Sequence, residues 1–155
     1  MKFKHFYLAV PLTVFCVALI GQHFTGMWME WYTTLHLPRF TPPGAVIGII
    51  WTIIFVLSTI SAIRFFTVSD HDKKSGIVVS LFIDNAILNI LRSWLFFVQH
   101  WILASIFEMI ILFVTTLILI IAIWSRSKLA SILLMPYAIW LIIATSYAMY
   151  IYSLN

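Results

Sequence analysis

Five long apolar stretches, separated by short polar or proline-containing segments, occupy most of the chain. A helix needs about 20 mostly apolar residues to cross the hydrocarbon core of a bilayer. A soluble domain of 155 residues would not bury this much apolar surface, because 63% of the residues are hydrophobic and only 9% are charged. The sequence therefore predicts an all-α integral membrane protein, a bundle of five transmembrane helices.

Charges, prolines and glycines mark where the spans begin and end. We predict spans at residues 6–25, 44–66, 76–98, 101–124 and 129–154, all within one membrane domain covering residues 1–155. Helices are expected because unpaired backbone groups are costly in lipid and the stretches do not alternate like barrel strands. The first stretch also resembles a signal peptide, but it has no clear cleavage site, and we expect it to be retained.

The basic residues predict how the chain is oriented. An odd number of spans places the amino terminus and the loops near residues 70–75 and 125–128 on one face. That face carries most of the basic residues: Lys2, Lys4, Arg64, Lys73, Lys74, Arg126 and Lys128. The positive-inside rule then predicts a cytoplasmic amino terminus, in what we expect to be a bacterial cell membrane. The net charge of +4 indicates contact with anionic lipid and gives no sign of nucleic-acid binding.

The connection between the first two spans combines aromatic residues with three prolines. Trp28 and Trp31 lie in its first half, and Pro38, Pro42 and Pro43 lie in its second half. Such a segment is expected to be ordered, and two interpretations remain open. It covers a cavity among the helices, or its tryptophans form the aromatic belt that collects at headgroup depth.

Three blocks of residues occur in an order and spacing typical of one family. The first comprises Trp31-Tyr32, Pro38, Phe40-Thr41-Pro42-Pro43, Val46, Gly48 and Trp51-Thr52; the second comprises Leu88-Asn89-Ile90-Leu91 and Ser93-Trp94-Leu95-Phe96-Phe97; the third comprises Leu134, Pro136-Tyr137, Trp140, Ala144-Thr145 and Leu154-Asn155. Together they resemble the TspO/MBR family. These are the tryptophan-rich sensory proteins related to the mitochondrial translocator protein, also called the peripheral-type benzodiazepine receptor.

The resemblance implies a five-helix bundle, usually dimeric, with a cavity covered by the first connection. Members bind porphyrins such as protoporphyrin IX, many bind benzodiazepine-site ligands, and light-dependent porphyrin breakdown is attributed to some. Carried over by position, the expected ligand-binding residues are Tyr32 and Pro43 in the lid, Trp51 on the second span, Asn89 on the third, and Trp140 and Ala144 on the fifth.

The sequence departs from the family pattern at four positions. Arg92 stands where a tryptophan is usual, Ala45 replaces another frequent tryptophan, Leu37 replaces a lysine, and Asn85 replaces a glutamine. No lysine or arginine follows Lys128. The sterol-recognition pattern ascribed to the mammalian fifth helix is therefore incomplete here.

The chemistry of these side chains suits a flat conjugated ligand. Indole faces stack well on a macrocycle, and Trp51 and Trp140 supply two of them. Arg39, in the lid, is expected to pair a propionate carboxylate, because a guanidinium bonds both of its oxygens. The alternatives are that the tryptophans only pack between helices and that Arg39 contacts lipid phosphate.

Polar residues inside the spans need partners, because charges are costly at bilayer depth. Asn85, Asn89 and Arg92 form one stripe on the third span. Asp84 lies beside this stripe, and Glu108 on the fourth span has a similar depth to Arg92. We expect Arg92 and Glu108 to form a structural ion pair across the tight hairpin.

Three classes of function remain open. The first is a membrane receptor or sensor for a tetrapyrrole, with assistance to porphyrin transport or a stress response as an extension of that role. The second is an enzyme that degrades the bound porphyrin in light, with Trp51 and Trp140 as redox-active neighbours. The third is a small transporter or membrane scaffold. We expect no metal site, because the histidines lack metal-ligand spacing, and no cofactor.

Overall fold

The computed structural model of the chain describes residues 5–69 and 73–155. Its helices are α1 Phe6–Met27, α2 Met29–Thr34, α3 Gly44–Val68, α4 Lys73–Ser93, α5 Ile102–Trp124 and α6 Lys128–Leu154, and a π-helical turn, Trp94–Val98, continues α4. Five of these segments are long and apolar enough to cross a membrane when α4 is taken together with the π-helical turn. The predicted bundle of five membrane helices is confirmed.

The five long helices form a closed ring in the order α1, α3, α6, α5, α4. Serine hydroxyls hold α6 to its neighbours: Ser61 Oγ donates to the carbonyl of Ala130 at 2.7 Å, and Ser131 Oγ donates to the carbonyl of Ile120 at 2.9 Å. Small hydroxyl residues allow this close approach, which is typical of membrane helices. The helices α3 and α5 therefore pack tightly against α6.

The helix α1 is the most peripheral member of the ring. Val17 is the one residue of this helix that is buried. At Gly21 the helix comes close to α4, since a Cβ atom there would lie 3.4 Å from Ser93 Oγ. Near its other end Tyr7 and Thr67 of α3 share a hydrogen bond of 3.3 Å. Between these two contacts, residues of α1 line a cavity that it shares with α3 and α4.

The outer surface of the bundle is apolar along its whole length. Leucine, isoleucine, valine and phenylalanine side chains point outward from every long helix, and Ile121 of α5 is the most exposed of the large hydrophobic residues, at 73%. A soluble protein rarely exposes a continuous apolar surface of this size. The surface therefore suits contact with lipid tails.

Hydrogen bonds fix which connections share an end of the bundle. Lys74 donates to Ser125, so the start of α4 lies beside the turn between α5 and α6. At the other end, the His36 N–H donates to Asn155 Oδ1 at 2.9 Å, and Asn155 Nδ2 donates to the His36 carbonyl at 3.1 Å. The first connection and the carboxyl terminus are thereby joined. Lys2, Lys4 and Asp70, which entered the predicted orientation, lie outside the described residues.

Two local elements were not predicted from the sequence. One is α2, which is too short for an amphipathic period to show. The other is the π-helical turn, in which the Gln99 N–H bonds to the Trp94 carbonyl at 3.0 Å, five residues back. His100 then ends the helix with a positive φ of 57°. α3 and α4 also extend beyond the predicted spans 44–66 and 76–98, to Val68 and from Lys73.

Candidate functional site

A chain of hydrogen bonds ties the first connection to α6. The Tyr32 hydroxyl lies 2.7 Å from the Tyr147 hydroxyl, which donates to Thr41 Oγ1 at 3.2 Å. Thr41 Oγ1 in turn donates to the Pro38 carbonyl at 2.6 Å. Burial first, and the hydrogen bond to Tyr147 second, raise the pKa of Tyr32 above its ordinary range. Residues 28–43, which we call the lid, are therefore fixed over one end of the bundle.

Aromatic rings hold α2 against the end of the α4–α5 hairpin. Trp31 stacks on His100 with ring centroids 4.0 Å apart and an interplanar angle of 10°. Trp31 also meets Phe96 edge-on at 5.7 Å. Trp28 contacts the same histidine edge-on at 5.3 Å, but its own side chain is exposed. Trp31 thus packs against the protein, whereas Trp28 keeps the exposure expected of a belt residue.

Four polar side chains form a directional network in the centre of the bundle. Asn89 Nδ2 donates to the Tyr137 hydroxyl at 2.6 Å and to the Asn85 carbonyl at 2.9 Å. Tyr137 donates to Asn85 Oδ1 at 3.1 Å, and Asn85 Nδ2 donates to Thr116 Oγ1 at 2.9 Å. The predicted stripe of α4 therefore faces protein. Asn89 Oδ1 is buried without a partner.

The two tryptophans expected to face a ligand pack on one shared cluster. Trp51 of α3 and Trp140 of α6 both lie against the buried residues Ile54, Leu112, Tyr137 and Leu141. The Trp51 ring meets the Tyr137 ring edge-on at 6.1 Å. Trp140 Nε1 is buried and has no hydrogen-bond partner. Both indoles thus converge on the interior, and both are partly exposed.

The side chain of Arg92 reaches across the interior to α3. Its guanidinium carbon lies 4.6 Å from the centroid of the Trp51 ring, and Nη2 donates to Ser93 Oγ at 3.2 Å. Arg92 Nε and both carboxylate oxygens of Glu108 are buried without hydrogen-bond partners. The expected ion pair between Arg92 and Glu108 is therefore not formed. Similar depth in the bilayer did not bring Arg92 and Glu108 together, because the side chain of Arg92 turns towards Trp51.

The remaining predicted residues lie around this centre. Pro43 is exposed and immediately precedes α3, while Arg39 is exposed in the lid. Ala144 packs against the cluster formed by Ile106, Met109 and Ala148. Asp84 is exposed on the outer side of α4.

A cavity of about 650 Å³ lies between α1, α3 and α4 and was not predicted from the sequence. Of the predicted ligand-binding residues, Asn89 lines it; Trp51 and Trp140 do not. Its walls include Ala9, Ala62, Gly76 and Ala86. Small side chains on three facing helices were the sequence signal for this space, but their relative rotation was not readable from one sequence.

The fold and this centre define a small polytopic membrane protein whose helices enclose aromatic and polar groups beneath a fixed lid. The sequence profile of the TspO/MBR family matches residues 9–153. The chain therefore belongs to the TspO/MBR family.

Several known proteins are similar in sequence to this chain over most of its length. A protein of Bacillus subtilis named uncharacterized membrane protein YtaB is 35% identical over 96% of this chain and 95% of its own length. Two proteins named tryptophan-rich protein TspO are also similar. The one from Bacillus cereus is 34% identical over 81% of this chain and 80% of its own, and the one from Archaeoglobus fulgidus is 32% identical over 96% and 95%.

Proposed function

We propose that the chain is a membrane receptor for a tetrapyrrole such as protoporphyrin IX, bound in the interior beneath the lid. The observation that carries the proposal is the placement of the Arg92 guanidinium 4.6 Å from the Trp51 ring, beside buried polar atoms that lack partners. A cation and an aromatic face at one site match a flat ligand that bears carboxylates.

The unpartnered atoms support a ligand at this place. Trp140 Nε1 and Arg92 Nε are buried donors, and the oxygens of Glu108 are buried acceptors. Leaving such groups without partners costs about 1–3 kcal/mol each, and more for charged groups. A macrocycle that carries both N–H donors and carboxylate acceptors would complete several of these hydrogen bonds at once.

Arg92 is the better placed of the two cations considered. Its side chain is partly buried beside an indole, where a bond to a carboxylate is strengthened by the low dielectric. Arg39 is exposed in the lid, where it would bind the second carboxylate of the ligand at the rim of the site. The family position of Arg92 usually carries tryptophan, so this chain exchanges a stacking surface for a charge.

The lid controls access to the proposed site. Tyr32 and Tyr147 join the lid to α6, and Pro43 ends the lid directly before α3. A ligand the size of a porphyrin would enter when the bond between Tyr32 and Tyr147 opens. Ala144, one turn beyond Trp140 on α6, leaves room because its side chain is small.

Titration with protoporphyrin IX in detergent tests the proposal through quenching of tryptophan fluorescence. We expect saturable binding that weakens in Trp51→Phe and in Trp140→Phe. Trp124→Phe is the matched control, because Trp124 is exposed on α5. Linear, unsaturated quenching in the wild type would refute the receptor and favour a scaffold.

The same samples test whether the protein is an enzyme. A bound porphyrin that keeps its absorption spectrum under illumination supports the receptor. Loss of the spectrum in light but not in darkness, in a manner that requires Trp51 or Trp140, would replace the receptor with a photochemical enzyme.

We also propose that the protein forms a homodimer through the outer face of α4. Asp84 is exposed in the middle of this helix, flanked one turn away by Ile87, and an acidic residue in a span usually faces protein instead of lipid. Ile87→Trp should then yield monomers in light-scattering measurements, whereas Ile121→Trp on α5 should not. A dimer that survives Ile87→Trp would exclude this face.

The orientation in the membrane is a further part of the proposal. Arg64, Lys73, Lys74, Arg126 and Lys128 lie towards the end of the bundle opposite the lid. By the positive-inside rule this end faces the cytoplasm of a bacterial cell. A protease added to intact spheroplasts should therefore cleave at the lid and not at the α5–α6 turn.

A further inference from the structure

The cavity between α1, α3 and α4 borders the central polar network, since Asn85, Asn89 and Tyr137 line it, but Trp51, Trp140 and Arg92 do not. Towards the lid, Gly21 of α1 approaches Ser93 of α4. At its other end the rings of Phe6 and Phe66 lie 5.7 Å apart, and those of Phe66 and Phe82 lie 6.2 Å apart. Small side chains on all three helices, among them Ala9, Ala62 and Ala86, leave this space open.

The cavity is long and narrow. Its lining residues run from Phe55 to Phe66 on α3 and from Ser75 to Asn89 on α4. At a rise of about 1.5 Å per residue, these segments span roughly 16–21 Å along the bundle. A slot of this length and a volume of about 650 Å³ accommodates a linear chain better than a flat macrocycle.

None of the described residues that line the cavity is charged. A carboxylate or phosphate inside it would lose its hydration without gaining a cation, which is strongly unfavourable. The interior beneath the lid, in contrast, contains Arg92. The two spaces are therefore suited to different ligands, and the cavity is suited to a neutral one.

One wall of the cavity offers a hydroxyl group. The Ser58 side chain of α3 lines the cavity and forms no hydrogen bond with any described residue, whereas the neighbouring Thr59 donates to the Phe55 carbonyl at 2.8 Å. Asn85, Asn89 and Tyr137 line the same cavity, but their hydrogen bonds are mostly made with one another. Ser58 therefore has a free hydroxyl group on the α3 wall, whereas on the α4 wall Asn89 Oδ1 is also without a partner.

An apolar space of this size inside a bilayer does not stay empty. Protein interiors are close-packed, and the walls of a void lose dispersion contacts. Water is a poor occupant, because apolar cavities stay dry. Lipid surrounds the protein on all sides and is the obvious source of an apolar chain.

We propose that this cavity binds one chain of a neutral lipid that carries a hydroxyl group, for which a long-chain alcohol is the simplest representative. The chain lies along α1 between the two contact points, and the hydroxyl group bonds Ser58. The proposal does not rest on porphyrin binding, because neither the two tryptophans nor Arg92 line the cavity; Asn89 is the expected porphyrin-binding residue that does.

Photo-crosslinking tests the site in vesicles of phosphatidylethanolamine and phosphatidylglycerol. The full chain is reconstituted with a trace of a long-chain alcohol that bears a diazirine in its chain, illuminated and digested, and the labelled peptides are mapped by mass spectrometry. We expect labels on the inner positions Val10, Val14 and Ala86, in excess of those on the exposed residue Ile121.

Two substitutions separate the cavity from the lipid-facing surface. Gly76→Phe should abolish the inner labels, because Gly76 lines the cavity and a Cβ atom there meets nothing within 4 Å. Gly48→Phe is the matched control, since Gly48 also has open space around it and does not line the cavity. If Gly76→Phe does not fold, Ala86→Leu provides the same test from the centre of α4.

The hydroxyl group is tested by competition. In the wild type an unlabelled long-chain alcohol should displace the probe better than the alkane of equal length, and Ser58→Ala should reduce this preference about fivefold, the effect of one hydrogen bond. Labels spread evenly over the outer surface, or inner labels that persist in both cavity-filling variants, would overturn the proposal. Displacement of the probe by protoporphyrin IX would also overturn it, whereas unchanged porphyrin titration in Gly76→Phe would support two separate sites.

Discussion

The Arg92 guanidinium lies 4.6 Å from the centroid of the Trp51 ring, with its Nε atom buried and without a hydrogen-bond partner. The contact joins α4 to α3, two helices that are not neighbours in the ring. The ring contact also leaves at least one hydrogen-bond donor of the guanidinium, Nε, without a partner. The side chain is therefore held by an aromatic face while some of its donors remain available.

Arg92→Leu should weaken protoporphyrin IX binding by about 10- to 100-fold, since a hydrogen bond to a charged group is worth about 1.5–3 kcal/mol. The tryptophan-quenching titration measures this loss. The dimethyl ester of the porphyrin is the control ligand, because it lacks the carboxylates and should bind both proteins alike. Equal losses for acid and ester would mean that Arg92 only supports the Trp51 ring.

Glu108→Gln should change the free energy of unfolding by less than about 1 kcal/mol. Removing one partner of a directly bonded buried ion pair costs about 3–5 kcal/mol, but neither oxygen of Glu108 has a hydrogen-bond partner. Reversible unfolding in mixed micelles measures the difference. A loss of stability of about 3–5 kcal/mol would show that Arg92 and Glu108 do pair in the membrane.

Tyr137→Phe should destabilise the bundle by about 1–3 kcal/mol, because it removes the two buried hydrogen bonds that the Tyr137 hydroxyl makes with Asn85 and Asn89. The same unfolding measurement applies. Tyr152→Phe is the matched control, since Tyr152 is exposed near the end of α6. Equal stability of the two variants would contradict the network.

Tyr32→Phe should speed hydrogen exchange of the α2 amides by about fivefold, because one hydrogen bond contributes about 1 kcal/mol. Exchange in α5 should not change, and it is the internal control. Tyr147→Phe should have a larger effect, as Tyr147 bonds both Tyr32 and Thr41. Unchanged α2 exchange in both variants would mean that ring contacts alone hold the lid.

The lid should also loosen at alkaline pH. The pKa of Tyr32 is raised in the folded protein by burial and by its bond to Tyr147, above the usual value of about 10. The neutral phenol is thus favoured, so its stabilisation is complete below pH of about 10 and is lost as the pH rises through the raised pKa. The alkaline increase in α2 exchange should be absent in Tyr32→Phe.

The helices could be predicted because the length of each apolar stretch and the polar residues that separate the stretches can be seen locally in the sequence. The span starting at Ile102 and the turn before Lys128 follow directly from them. The inward face of α4 was also predictable, since Asn85 and Asn89 share one face and polar groups avoid lipid.

The partner of a buried charge was not predictable in the same way. Spacing along a hairpin gives the depth of Arg92 and Glu108 but not the rotation of their helices. The outcome was decided by packing against Trp51, which is distant in sequence. The cavity behind α1 was missed for a similar reason, because nothing local shows how closely two helices will pack along their length.

The widened turn at Trp94–Val98 has a consequence for the chain's tolerance of length changes. One additional residue per turn there sets which side chains meet the lid, so that Phe96 and Phe97 both approach Tyr32. Deleting a single residue would restore a regular α-helix and change which side chains of this segment face the lid. Insertions and deletions should therefore be tolerated in the turn at residues 125–127 but not in this segment, although both lie outside the regular α-helices.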